Sequence, residues 1–316
     1  MSKKKYTWLI LIPLLLGAGI GTYFVLNKNE EIKVSASVTS ALSDTQGTEN
    51  FSKADKPKTF IFPKDSGSHP DFQTEWWYYT GNLEDKNKNN YGYQLTFFRR
   101  ALNSEDIKRD SKWKTNQIYF AHFTVSDIKN NKFYYAEKYS REGNGLSGVN
   151  ADPFNVWLED WQAKEDKNGF VNIKADNSPV AIDLKVKSLK PVVLQGNQGL
   201  SNKSAGNASY YYSLTRLDTQ GSFYINNEKF DVKGLSWLDR EWSTSALSKD
   251  QSGWDWFSIQ LDDQRELMLY QLRLKNGGID SYSSGCIIDK NGKLTNLKKD
   301  DFKIEVLDYW KSPTTN

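Results

Sequence analysis

Residues Glu75 to Arg100 read EWWYYTGNLEDKNKNNYGYQLTFFRR, and residues Trp254 to Arg273 read WDWFSIQLDDQRELMLYQLR, the same run with a shorter turn. Anchoring Leu83-Glu84-Asp85 on Leu261-Asp262-Asp263 sets Trp76 on Trp254 and Tyr79 on Phe257. Anchoring the strand that follows sets Leu95 on Leu269 and Arg99 on Arg273. The match persists downstream: Val125 to Phe133 (VSDIKNNKF) aligns with Ile287 to Leu294 (IIDKNGKL), and Phe154 to Trp161 (FNVWLEDW) with Phe302 to Trp310 (FKIEVLDYW). Four elements recur in order. Two copies argue for duplicated domains rather than a solenoid, which needs several short units to bury a continuous core. The second copy reaches Asn316 soon after its fourth element, so the second domain is expected to be incomplete, with an unpaired strand near Phe302 to Tyr309.

Inside the repeat, apolar residues recur with period two. Tyr91, Tyr93, Leu95 and Phe97 alternate with Gly92, Gln94 and Thr96, and Phe123 and Val125 alternate with His122, Thr124 and Ser126. Turn-forming clusters separate such runs at Asp85 to Asn90, Lys129 to Lys132, Asp166 to Gly169, Asp218 to Gly221 and Lys290 to Gly292. No stretch sustains a 3.6 period with caps. The chain is therefore predicted to be all-β, with two antiparallel barrels or sandwiches and few helices. The first domain is expected over 59–245 and a partial second over 246–316. The span Asn197 to Asn207, within QGNQGLSNKSAGN, reads as a surface loop whose Gly and Asn could border a cleft.

A length of 316 residues suits two domains of ordinary size, and an aromatic fraction of 14% supplies the large side chains for their cores. Lys and Arg total 42 against 39 acids, but residues 1–58 hold eight Lys and five acids, leaving 34 of each sign in the folded part. That neutrality argues against a nucleic-acid partner, which calls for a basic face. The single cysteine, Cys286, excludes an internal disulfide and any multi-cysteine zinc site, and reads as a small buried strand residue. Lys3, Lys4 and Lys5 precede an uncharged stretch from Tyr6 to Asn27, long enough to span a bilayer. It reads as a membrane anchor with the remainder outside, in preference to a cleaved signal, for which Gly17-Ala18-Gly19 offers a weak site. Residues 28–58, poor in large apolar side chains, read as a flexible linker.

Three constellations could carry chemistry. In Glu75-Trp76-Trp77-Tyr78-Tyr79, adjacent bulky rings on a strand must point to opposite faces, so both faces are covered. Either Trp77 and Tyr79 fill a barrel while Trp76 and Tyr78 lie between domains, or some of the rings line a pocket for an apolar or cationic species. In Trp237-Leu238-Asp239-Arg240-Glu241-Trp242, Asp239 and Glu241 share one strand face and Arg240 takes the other. The pair of acids is either part of an ion-pair network or a site where desolvation holds a general acid protonated. The two histidines, His69 and His122, each have a structural reading as hydrogen-bonded groups, His69-Pro70 marking a turn. With Glu75 or Asp239 they could complete a metal site, but their spacing does not require one, and none is expected. The G-x-S-x-G elbow, H-E-x-x-H and phosphate-binding glycine loops are missing from the sequence.

The ordered set of a His-Pro start, EWWYYTGNL, GYQLTFFRR, AHFTVSD, GLSWLDREW and GWDWFSIQL resembles the AttH-like, carotenoid 1,2-hydratase family of secreted or membrane-associated proteins, over about His69 to Pro313. The resemblance implies two lipocalin-like β-barrel domains, without a cofactor, and an apolar isoprenoid or lipid as ligand. It also implies addition of water to a terminal isoprenoid double bond. In that reading Asp239 is the acid, Trp76, Tyr78, Trp242 and Trp254 are rings around the substrate, and His122 or His69 orients water. Arg240 supports Glu75 or Glu241, and all these groups gather at one cleft near the contact of the domains. The alternative is a lipid-binding protein without catalysis, which needs an apolar cavity and no acid.

Overall fold

The computed structural model describes residues 48–104, 110–244 and 247–311. Its first sheet starts as a meander of β1 (Thr74–Asp85), β2 (Asn90–Ala101), β3 (Gln117–Asp127) and β4 (Lys132–Arg141). It continues through β5 (Ser147–Ala151), β6 (Phe154–Leu158), β7 (Trp161–Glu165), β8 (Val171–Asn177) and β9 (Val180–Ser188). Two short strands, β10 (Val193–Leu194) and β11 (Leu200–Ser204), precede the long β12 (Asn207–Ile225) and β13 (Glu228–Ser243). The order is β4-β3-β2-β1-β13-β12-β9-β8-β7-β6-β5, with β10 and β11 also paired to β12. Trp77, Tyr79, Leu95, Phe97, Phe123, Val156, Leu158 and Trp161 fill its concave side. Phe123 meets Trp161 edge-on at 5.6 Å, bringing the two ends of the sheet together into a nearly closed barrel.

The second sheet, β14 (Gln251–Gln260), β15 (Glu266–Leu274), β16 (Ser284–Ile288) and β17 (Leu294–Lys298), is a meander in sequence order. It repeats the cross-strand pairs of β1 to β4. Tyr79 faces Leu95 as Phe257 faces Leu269, Leu95 faces Phe123 as Leu269 faces Gly285, and Ser126 faces Phe133 as Ile288 faces Leu294. Glu266, fully buried, fastens this sheet to the barrel by accepting from Lys190 Nζ at 2.7 Å and Arg216 Nε at 2.6 Å.

The fourth repeated element departs from expectation. In the first copy Phe154–Leu158 is β6, paired with β5 and β7. Residues 302–310 form no strand, paired or unpaired, and Leu307 and Trp310 are 90% and 81% exposed. No described neighbour offers this backbone a ladder, so nothing holds it extended in one register.

Three further readings need correction. Asp218 to Gly221 is not a turn but lies within β12, where Thr219 Oγ1 bonds Ser236 Oγ at 2.7 Å. The hairpin turns at Asn226 and Asn227, whose φ values of 52° and 67° suit the mirror-image turn that joins twisted strands. The span Asn197 to Asn207 contains β11 instead of being all loop. The linker does not reach residue 58, because Phe51 and Ala54 are buried and Tyr210 Oη donates to the Lys56 carbonyl at 2.9 Å. The Tyr6 to Asn27 stretch lies outside the described residues, among which no helix is long and apolar enough to cross a membrane.

Candidate functional site

Antiparallel pairing puts directly opposed residues on the same face. Two rows therefore cross the outer face of β12, β13, β1, β2 and β3: Tyr211, Glu241, Trp76, Phe98, Phe120, and beside it Ser213, Asp239, Tyr78, Thr96, His122. The four-stranded sheet covers this face. Between them lies a cavity of about 300 Å³ whose wall includes Trp76, Tyr78, Phe98, His122, Asp239, Glu241, Lys203, Tyr211, Trp254, Trp256 and Tyr270. Both readings of the Trp76-Tyr79 run hold together: Trp77 and Tyr79 fill the barrel, while Trp76 and Tyr78 pack toward the second sheet and line the cavity.

The duplication organises this wall. The alignment equates Trp76 with Trp254 and Tyr78 with Trp256 on the first strand of each copy, and Thr96 with Tyr270 and Phe98 with Leu272 on the second. Seven of these eight line the cavity, Thr96 excepted. Copy faces copy across the space.

Asp239 is 4% exposed. Its Oδ1 accepts from Ser213 Oγ at 2.5 Å and Trp237 Nε1 at 2.8 Å, and the Tyr211 hydroxyl is a third partner of the carboxyl. Burial pushes the carboxyl up to about 7; the hydrogen bonds from Ser213, Trp237 and Tyr211 oppose that rise, and the Glu241 charge adds to it. Ser213 is fed from the second sheet, since Cys286 Sγ donates to Gln195 Oε1 at 3.1 Å and Gln195 Nε2 to Ser213 Oγ at 2.9 Å. Glu241 accepts from Ser209 Oγ and lies 3.4 Å from Lys203 Nζ. The Lys203 ammonium sits 4.1 Å above the Tyr270 ring and 5.3 Å from that of Tyr211. Burial alone would lower the pKa of Lys203, but Glu241 and its neighbours hold it above the ordinary value.

His122 lies at the other end, three strands and so about 14 Å of sheet from Asp239. Its Nε2 is buried without a hydrogen bond, 3.8 Å from Glu137 Oε2, and burial lowers its pKa against the pull of Glu137. The ring is therefore neutral near pH 7. Asp239 and His122 line one cavity but cannot share one proton.

The other four candidates do not join the cleft. Glu75, Arg240 and Trp242 point to the opposite face, in register with Trp77 and Arg99, and His69 reaches them from the segment before β1. Arg99 and Arg240 both bond the Glu75 carboxylate, so Arg240 partners Glu75 rather than Glu241. Burial would raise the Glu75 pKa, but the two guanidinium groups hold it well below the ordinary carboxylate range. His69 joins Glu75 Oε2 at 3.2 Å through Nδ1 and Asp65 Oδ1 at 3.0 Å through Nε2, and its ring stacks on Trp242 at 3.8 Å. This network braces the barrel end. The expectation of a single cleft fails because one step along a strand reverses the face, and Glu75 and Arg240 are each one residue out of phase with the cavity rows.

Sequence reasoning missed Lys203, Tyr211, Trp256 and Tyr270. Trp256 and Tyr270 were visible as repeat partners of Tyr78 and Thr96, whereas Lys203 sits in a segment with a loop composition. Among the described residues, no cluster of three or more His, Cys, Asp or Glu is arranged to hold a metal ion.

Comparison with known proteins matches the AttH-like family over residues 53–316. The crystal structure of an AttH-named protein of Nitrosomonas europaea is similar with a TM-score of 0.74 and 30% identity, covering 84% of this chain and 80% of that one. Kievitone hydratase of Nectria haematococca shares the fold at a TM-score of 0.57 and 12% identity, covering 81% of this chain and 73% of that one. A class B acid phosphatase of Edwardsiella ictaluri is 34% identical over 109 residues, which are 34% of this chain and 44% of that protein's length. With the strand order, the lipocalin-like barrel and the tryptophan-rich motifs in place, the chain belongs to the AttH-like family.

Proposed function

We propose that the cavity binds an apolar alkene and that the protein is a cofactor-independent hydratase, with Asp239 as the acid. The observation that carries this reading is a buried carboxyl in an aromatic cavity wall, Asp239, which burial pushes toward its protonated form. Proton transfer from the Asp239 carboxyl to the less substituted alkene carbon forms a C–H bond and leaves a tertiary cation. The faces of Trp76, Trp254 and Trp256 stabilise such a cation. Water then forms the C–O bond, and its surplus proton returns to the Asp239 carboxylate, restoring the acid. His122 holds the far end of the ligand or a water there. Kievitone hydratase lends the fold and not the substrate.

The charged groups in the wall favour chemistry over simple carriage, which needs only apolar lining. Lys3 to Lys5 ahead of the apolar stretch support an extracytoplasmic location for this activity; protection of the β region from protease in intact cells would reverse the topology. The test of activity is incubation with prenyl alkenes in ¹⁸O-labelled water, with products read by mass spectrometry. Labelled alcohol that disappears in Asp239→Asn supports the hydratase. Bound lipid without turnover supports the carrier, and release of phosphate from p-nitrophenyl phosphate would redirect the assignment to phosphoester hydrolysis.

A further inference from the structure

We infer that Lys203 is a specificity residue, and that the cavity selects a neutral lipophile carrying a hydroxyl or carbonyl oxygen at one end over a hydrocarbon or a carboxylic acid. The inference deepens the proposed function, since it concerns the ligand of the same cavity. Lys203 is 8% exposed, a full charge in a wall otherwise dominated by rings. Its ammonium has three donors. Its ammonium pairs with Glu241, whose Oε1 lies 3.4 Å away and already accepts from Ser209, and its other contacts are the π-faces of Tyr270 and Tyr211. One carboxylate oxygen engages at most one of the three donors, and ring faces are weak acceptors for the others, so a ligand oxygen that reaches Nζ gains a hydrogen bond the protein does not supply.

Charge selects the kind of oxygen. Glu241 already neutralises Lys203, and Asp239 stands two residues along the same face. A carboxylate ligand would meet one or two like charges in a low-dielectric space, whereas a neutral acceptor meets none. The ring-lined remainder, across β1 and β2 toward Phe98 and His122, accepts the hydrocarbon body.

The experiment measures binding of three probes by quenching of tryptophan fluorescence: geranylacetone, which carries a carbonyl; β-farnesene, a hydrocarbon; and geranic acid. In the wild type, geranylacetone is expected to bind at least tenfold more tightly than either of the others. Lys203→Met should remove that advantage while β-farnesene binding stays within about twofold. Because this change strands Glu241, the double variant Lys203→Met, Glu241→Gln is measured beside it, with thermal unfolding to confirm folding of both. Equal affinities for geranylacetone and β-farnesene in the wild type, a preference that survives in both folded variants, or failure of all three probes to bind would overturn the inference. Selective binding lost with Lys203 but unaccompanied by turnover of any alkene would sustain it while removing the hydratase reading.

Discussion

Tyr78 and Trp256, which occupy the same place in the two copies of the repeat, meet edge to face with ring centroids 5.4 Å apart. Contact between equivalent residues is the mark of an isologous interface, in which one surface meets its own counterpart. Here both surfaces belong to one chain. Duplication of one meander supplied both walls, after which the copies diverged: the β1 to β4 copy contributes His122, and the strands that follow it contribute Asp239 and Lys203.

Matched wall positions should respond alike. Trp76→Ala and Trp254→Ala remove equivalent rings, and each is expected to weaken geranylacetone binding by about tenfold, the loss of one well-buried aromatic contact. Trp157, a half-buried tryptophan on β6 away from the cavity, is the control. Isothermal titration of the three variants checks this, and a Trp157→Ala effect as large as the other two would deny the cavity its role.

How much of this was legible in the sequence depends on what each signal encodes. The repeat and its period-two alternation specify strand register, so the equivalence of Tyr79–Leu95 and Phe257–Leu269 could be read before any coordinates. The same alternation separates Asp239 from Arg240. What it leaves open is where a segment outside the repeat crosses a face. Thus residue type and an aromatic-rich neighbourhood group His69 with His122, although Glu75 and Asp65 hold His69 away from the cavity. Lys203 was hidden for a different reason: its strand is short, flanked by Gly199 and Gly206 with positive φ, and held by pairing to β12 instead of by its own composition.

The two buried ion clusters should be structural. Glu75→Ala leaves Arg99 and Arg240 without their shared carboxylate, and Glu266→Ala leaves Lys190 and Arg216 in the same state. Breaking a buried pair from one side costs about 3–5 kcal/mol. Urea unfolding should show losses of that size for both, with Glu266→Ala also exposing the cavity by loosening the second sheet. A Glu75→Ala protein as stable as the wild type would mean that the network does not brace the barrel.

Asp239 makes stability and turnover depend on pH in a way its asparagine variant cannot. Its folded pKa of about 7 lies above the unfolded value near 4. Between those values the native state holds a proton that the unfolded chain has released. The contribution is therefore fully present below about pH 4 and is lost as pH rises through about 7. The neutral His122 acts in the opposite direction, its contribution being present above the ordinary histidine range and lost as pH falls. Comparison of the wild type with Asp239→Asn isolates the acid, because His122 is common to both. Asparagine can still accept from Ser213 and Trp237, and it cannot ionise. The variant should gain on the wild type by on the order of 2 kcal/mol between pH 5 and pH 8, measured by urea unfolding at each pH. In the hydration assay, wild-type kcat should fall as pH rises through about 7, since only the protonated acid can donate. A stability difference that does not change with pH would show that Asp239 is ionised throughout, and would remove it as the acid.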